Sequence, residues 1–176
     1  KMLSKPEELF YCDQGEQTVV RRGEALPSPY RKIFAFKVEE PITAFEMAGD
    51  RLYAAADKSI RILNREGTEE HRFATADIVR DVVSVGDELY VLHPTMIGVY
   101  TLAGATVRSW EACSPESDYC SMAIVGDEIF VTDASNKNIC QYNREGAFRR
   151  FIDSPNGFIV PSYSFGITTV GDKVYC

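Results

Sequence analysis

Short apolar runs alternating with polar turns fill the chain, and they recur in phase. Ile42-Thr43-Ala44-Phe45-Glu46-Met47 ends at Gly49-Asp50, where a tight turn sends Leu52-Tyr53-Ala54-Ala55-Ala56 back as a hairpin partner. Asp57-Lys58 makes the next turn. In Ser59-Ile60-Arg61-Ile62-Leu63 the isoleucines alternate with polar neighbours at period two, the spacing of a strand. After Asn64-Arg65-Glu66-Gly67 comes the more polar Glu69-Glu70-His71-Arg72-Phe73, which reads as an outer edge strand whose charges discourage further pairing. The pattern predicts a four-stranded antiparallel meander.

The unit repeats. Ala48-Gly49-Asp50-Arg51-Leu52-Tyr53-Ala54 returns as Val85-Gly86-Asp87-Glu88-Leu89-Tyr90-Val91, Val125-Gly126-Asp127-Glu128-Ile129-Phe130-Val131 and Val170-Gly171-Asp172-Lys173-Val174-Tyr175-Cys176, at intervals of 37, 40 and 45 residues. A second landmark, ending at Gly67, Gly104 and Gly146, follows 18, 18 and 20 residues after the Gly-Asp glycine. A repeated four-stranded unit of about 40 residues is the signature of a β-propeller blade, and no helix-period stripe competes with it. The expected organisation is one all-β domain over 1–176, with blades at 42–74, 79–111 and 120–152 and partial blades at 9–38 and 165–176. A propeller closes its ring, so this count implies part of a larger ring, a four-bladed ring sealed by the termini, or a ring completed by a second copy. The last strand stops at Cys176, and the partial-ring reading is the preferred one.

Composition narrows the partners. The chain has 176 residues, 19 Lys+Arg against 26 Asp+Glu and a net charge of −7, which disfavours nucleic acid and anionic lipid. No apolar run approaches a membrane span, and the first residues lack the apolar stretch of a signal peptide. Five cysteines include no CxxC pair, and His71 and His93 are the only histidines, so neither a zinc ribbon nor a three-histidine metal site is expected. The GxSxG, GxxxxGK[ST] and GxGxxG motifs are absent. Cys113 and Cys120 are close enough in sequence to be bonded in an oxidising compartment, whereas Cys140 reads as a buried small hydrophobe.

Phe130-Val131-Thr132-Asp133-Ala134-Ser135-Asn136-Lys137-Asn138-Ile139-Cys140-Gln141-Tyr142-Asn143-Arg144-Glu145-Gly146 resembles the NHL-repeat six-bladed propellers, with their aspartate strand end, asparagine turn and Asp-x-x-Gly. Gly157-Phe158-Ile159-Val160-Pro161-Ser162-Tyr163 is similar to a linker in an uncharacterised, often exported bacterial subset of that superfamily. The resemblance covers 42–176 and implies a six-bladed ring with about two further blades and a periplasmic, cell-surface or secreted location. It implies no catalytic residue. Leu92-His93-Pro94 departs from its Asp-x-x-Asn turn.

Propeller loops vary over a rigid scaffold, so a site is expected where the second and third strands of each blade join and where blades join one another. The candidates are Asp57, His93, Asp118, Asp133, Asn136 and Tyr163. His93 reads as a surface turn residue, or as a general base or metal ligand if Asp57 or Asp133 converges on it. Asp133 with Asn136 reads as a side-chain-capped turn, or as a calcium or substrate contact. Trp110 and Tyr142 are expected to pack between blades. The expected function is a non-catalytic scaffold that binds a protein, peptide or carbohydrate through its loop face, without a cofactor. The alternative is a lactonase, lyase or glycan-processing enzyme with one divalent cation, calcium among them. Unpaired terminal strands make self-association a third expectation.

Overall fold

The computed structural model describes the backbone of residues 3–5, 8–13, 18–23 and 34–37 and, with side chains, residues 40–152 and 166–176. These described residues are all strand, turn and loop. Two units divide the chain, Lys1–Ala74 and Thr75–Cys176.

In the first unit, β1 (Leu3–Lys5), β2 (Glu8–Asp13), β3 (Thr18–Gly23) and β4 (Phe34–Lys37) form one antiparallel sheet in chain order. This sheet has four strands where the sequence suggests three, because Leu3–Lys5 pairs with Glu8–Phe10 through a run too short to stand out. A second sheet follows, of β5 (Ala44–Ala48), β6 (Arg51–Ala56), β7 (Ser59–Leu63) and β8 (Glu69–Ala74). Ile42, Phe45, Leu52, Ala54, Ala56 and Leu63 form its core. β8 is the exposed edge, as its charges suggest. Arg61 departs from the alternating pattern. It sits in the polar slot of β7 yet is only 7% exposed, and its guanidinium reaches Glu69 of β8 at 2.9 Å.

The second unit holds β9 (Asp81–Val85), β10 (Glu88–Leu92), β11 (Met96–Thr101) and β12 (Thr106–Glu111) in one sheet, and β13 (Tyr119–Val125), β14 (Glu128–Asp133), β15 (Asn138–Asn143) and β16 (Phe148–Ile152) in the next. The hairpin β17 (Thr168–Val170) and β18 (Lys173–Tyr175) ends it. Tyr90, Leu92, Ile97, Val99, Tyr119, Met122, Ile129, Val131, Cys140 and Tyr142 make one core shared by both four-stranded sheets. Trp110 of β12 lies 6.4 Å from Tyr142 of β15, ring to ring, so this pair does pack between sheets.

The two turn landmarks have distinct geometries. Gly49, Gly86, Gly126 and Gly171 take φ of +60, +59, +56 and +62, while the aspartates after them keep negative φ. Glycine at the first central position with an ordinary residue at the second is the type II′ hairpin, so the aspartate need not enter the left-handed region. The second landmark is a type I turn closed by a bulge. Gly67 and Gly146 donate to the carbonyls of Asn64 and Asn143, and Gly104 to that of Thr101. The third and fourth strands slip register beside each of these turns. Asn64 Oδ1 and Asn143 Oδ1 each accept the N–H four residues on, at 2.9 and 2.7 Å, and Thr101 Oγ1 does the same for Ala105 at 3.1 Å. Leu102-Ala103-Gly104 therefore keeps the turn without an asparagine.

Two devices tie the sheets of the second unit together. Asp81, at the first residue of β9, accepts Ser121 Oγ at 2.8 Å and the Met122 N–H at 2.9 Å through Oδ2. Ser121 occupies the equivalent position one repeat later, five residues before its Gly-Asp glycine, and its Oγ accepts the N–H of Ile167 at 3.3 Å. The seam bond is thus repeated in phase: a short polar side chain on one innermost segment takes a backbone donor of the next.

The second device lies at the Gly-Asp end. Glu88 receives both terminal nitrogens of Arg108, at 2.5 and 2.9 Å, the Tyr90 hydroxyl at 2.8 Å and Arg144 Nη2 of the neighbouring sheet at 3.2 Å. These donors hold its carboxyl far below the usual range, at about 2. A carboxylate depressed in the folded state adds stability above its unfolded value of about 4.5 and loses it as pH falls towards about 2. Glu88→Gln is expected to cost about 1–2 kcal/mol at pH 7, solvent screening included, and almost nothing at pH 2. Urea unfolding at the two pH values checks this, and an equal cost at both would count against the charge.

Candidate functional site

The opposite end of the second unit, where β10 meets β11, β12 meets β13 and β14 meets β15, gathers four of the six candidate residues. Its loops are tied by backbone. Ala112 N donates to Thr95 O, Tyr119 N to Pro94 O and Ala134 N to Asp118 O, each within 2.8–2.9 Å. The linker 112–118 is thereby fixed to the turns on both sides.

Asp133 organises that linkage. It is fully buried, and Oδ1 accepts the N–H groups of Asp118 at 3.1 Å and Asn136 at 3.2 Å while Oδ2 accepts Asn136 Nδ2 at 2.9 Å. Asn136 Nδ2 also reaches Ser117 Oγ at 3.3 Å. Asp133 is thus a capped-turn carboxylate that also grips the preceding linker. Asp118 points outward and faces Arg80 at 3.6 Å, both side chains nearly half exposed. Lys137 follows with φ +52, a left-handed non-glycine residue at the loop tip.

His93 is not a surface turn residue. It is 0% exposed, and Nδ1 lies 3.0 Å from Ile78 O. The linker bonds at Pro94 and Thr95 cover the turn that carries it, a long-range effect invisible in the local sequence. Burial lowers its pKa, which leaves the ring neutral near pH 7. Among the described residues no hydrogen bond or ion pair joins it to Asp133, and Asp57 is an exposed residue with φ +49 in the other unit. Tyr163 lies outside the described residues.

The cysteines are arranged differently from the sequence expectation. Cys113 and Cys120 are not bonded to each other; Cys120 donates to Asp118 O at 3.5 Å. The thiol beside Cys113 is Cys140, with the sulfurs 3.3 Å apart. Tyr119 and Tyr142 lie beside them, their hydroxyls 2.5 Å apart, and the Tyr119 hydroxyl is 3.8 Å from Cys113 Sγ. Burial pushes Cys140 and both tyrosines up, so all three are protonated at neutral pH. No sequence motif links residues 113, 119, 140 and 142; only the stacking of two sheets does. Among the described residues the one group of metal-type ligand atoms is Cys113, Asp133 and Cys140, within 4.8 Å of one another. Its two sulfurs do not suit calcium, which takes oxygen ligands.

Comparison with known proteins rests on shape. No known family's sequence profile matches the chain, and no curated protein matches it in sequence. A streptogramin B lyase superposes with a TM-score of 0.72 at 10% identity over 98% of this chain and 59% of its own. A virginiamycin B lyase from Staphylococcus aureus gives 0.70 at 11%, over 95% of this chain and 58% of its own. The fold is a β-propeller. A functionally unknown protein from Desulfotomaculum acetoxidans (TM-score 0.65, 15% identity, 89% of this chain and 56% of its own) and the Pan2 WD40 domain of Neurospora crassa (0.60, 14%, 74% and 41%) are similar as well. The chain thus spans somewhat over half the length of the first three solved structures, and at these identities the likeness concerns fold alone.

Proposed function

We propose that the loop end of the second unit is a binding surface, which holds a polar protein segment, peptide or carbohydrate and does no chemistry on it. The observation that carries this reading is the use of Asp133. Its carboxylate is spent on the Asp118 and Asn136 amides, so it stiffens the loops that display Asp118, Asn136 and Lys137 to solvent. A rigid, loop-bearing face loses little entropy on binding. His93, neutral and buried beneath the same loops, supports the turn from below.

The test screens the intact chain against a glycan array and a random-peptide phage library. Enrichment of one ligand class is expected, with binding weakened about tenfold or more by Asp118→Ala with Lys137→Asn, since a central polar contact contributes at least about 1.4 kcal/mol. Asp87→Ala with Asp127→Ala, at the other end of the sheets, serves as the control. Equal weakening by both pairs, or no enriched class, would overturn the reading.

A second reading, favoured by the likeness to the two lyases, is a lyase; the divalent cation expected for such an enzyme from the sequence is part of this reading. Incubating the chain with virginiamycin B and either magnesium or calcium, followed by chromatography, separates the two. Conversion of the antibiotic would replace binding by catalysis.

A further inference from the structure

We propose that Cys113 and Cys140 form a reactive dithiol pair, in which the surface-facing Cys113 attacks a low-molecular-weight disulfide and the buried Cys140 resolves the adduct into a protein disulfide. The inference stands independently of the binding surface above.

The first observation is distance and location. The sulfurs are 3.3 Å apart, in contact and a little over an ångström beyond a covalent disulfide, which spans about 2.05 Å. Cys113 lies in the linker between β12 and β13, whereas Cys140 sits inside β15, paired with Val131 on one side and Phe151 on the other. Each is anchored independently. Cys113 N–H donates to the Tyr119 hydroxyl at 3.2 Å, and Ala112 beside it is held by Thr95.

The second observation is asymmetry. Cys113 lies at the surface, partly covered by its neighbours, and Cys140 is fully buried, so Cys113 is the thiol that a reagent from solvent meets first. Their hydrogen bonds point the same way. Tyr119 donates its hydroxyl towards Cys113 Sγ, and Tyr142 supplies the adjoining hydroxyl, so the sulfur at the surface is an acceptor. Cys140 instead donates its S–H to Asn138 Oδ1 at 3.6 Å. One thiol is placed to attack a reagent at the surface while the other waits behind it.

The chemistry balances with a small disulfide, RSSR, as oxidant. Cys113 gives up its proton and attacks one sulfur of RSSR; a new S–S bond forms, the old one breaks, and one RS⁻ leaves. Cys140 then attacks the Cys113 sulfur of the mixed disulfide, loses its proton and expels the second RS⁻. Two electrons have passed from the protein thiols to the reagent, which ends as two RSH carrying the two protons. The product staples the linker to β15.

The experiment treats the fully reduced chain with oxidised glutathione and maps its peptides under non-reducing conditions. The expected product is a Cys113–Cys140 disulfide with loss of two hydrogens per chain and of two titratable thiols. Cys140→Ser should trap glutathione on Cys113, whereas Cys113→Ser should leave Cys140 unmodified in the folded chain, with circular dichroism confirming that both variants fold. The wild-type map decides the matter even if a variant misfolds. Glutathione retained on wild-type Cys113, or pairing of Cys113 with Cys12, Cys120 or Cys176, would overturn the proposal. So would zinc that copurifies at one ion per chain and shields both thiols.

Discussion

Gly146→Ala is expected to destabilise the second unit by about 2–4 kcal/mol, while Gly126→Ala a few strands away costs only about 1–2. Both glycines have positive φ, at +88 and +56, so both substitutions carry the left-handed penalty. They differ in what a methyl group meets. At Gly126 nothing lies within 4 Å, but at Gly146 it would fall 2.6 Å from Trp110 Cδ2 and 2.7 Å from Cε3. The indole packs directly over the bulged turn, and a Cβ there must displace the ring that seals the joint between the two sheets. Trp110 is the single tryptophan of the chain, so its emission follows unfolding of this unit alone. Gly146→Ala should shift both the folded-state emission and the urea midpoint, and Gly126→Ala the midpoint only. Equal midpoints in the two variants would mean that the indole yields without cost.

Asp81→Ala should cost about 2–4 kcal/mol, because it leaves the Ser121 hydroxyl and the Met122 N–H without their acceptor. Asp81→Asn keeps an oxygen at that place and should cost roughly half as much. The same Trp110 emission, monitored through urea unfolding, checks both. Exchange of the Met122 amide offers a local readout, since a seam bond protects that one hydrogen specifically. A loss under about 1 kcal/mol for the alanine variant would show that water replaces the carboxylate at little expense.

The parts legible in the sequence are those fixed by a few neighbouring residues. Gly-Asp and the bulged Asn-x-x-Gly turn impose their φ values locally, so phase and strand count could be read for most of the chain. Even there the turn type needed coordinates, since glycine alone takes the positive φ. Asp133 with Asn136 was readable as a capped turn, because both partners lie within four positions. The grip of Asp133 on Asp118 was not, because it crosses from one loop to another.

What escaped depends on how sheets stack. Glu88, Arg108 and Arg144 carry ordinary surface charges in a linear reading, and only sheet stacking brings them together. His93 looked like a turn tip because the linker that buries it lies some twenty residues downstream. Nearness in sequence points from Cys113 to Cys120, yet its neighbour in space is 27 positions away. The signal that could have been found is the Asp81 and Ser121 phase, a short polar residue five places before the Gly-Asp glycine in consecutive repeats.

That seam has a consequence for how such a chain grows. The donor common to both joints is a main-chain N–H, which every repeat provides whatever side chains it bears, so the one side-chain requirement they share is a small acceptor on one side. A gene segment that duplicates a whole repeat copies that acceptor along with it, and the new copy can be accepted by its neighbour without any matching change there. Aspartate fills that place in one repeat and serine in the next, so the acceptor's size and charge can change while the main-chain donor stays.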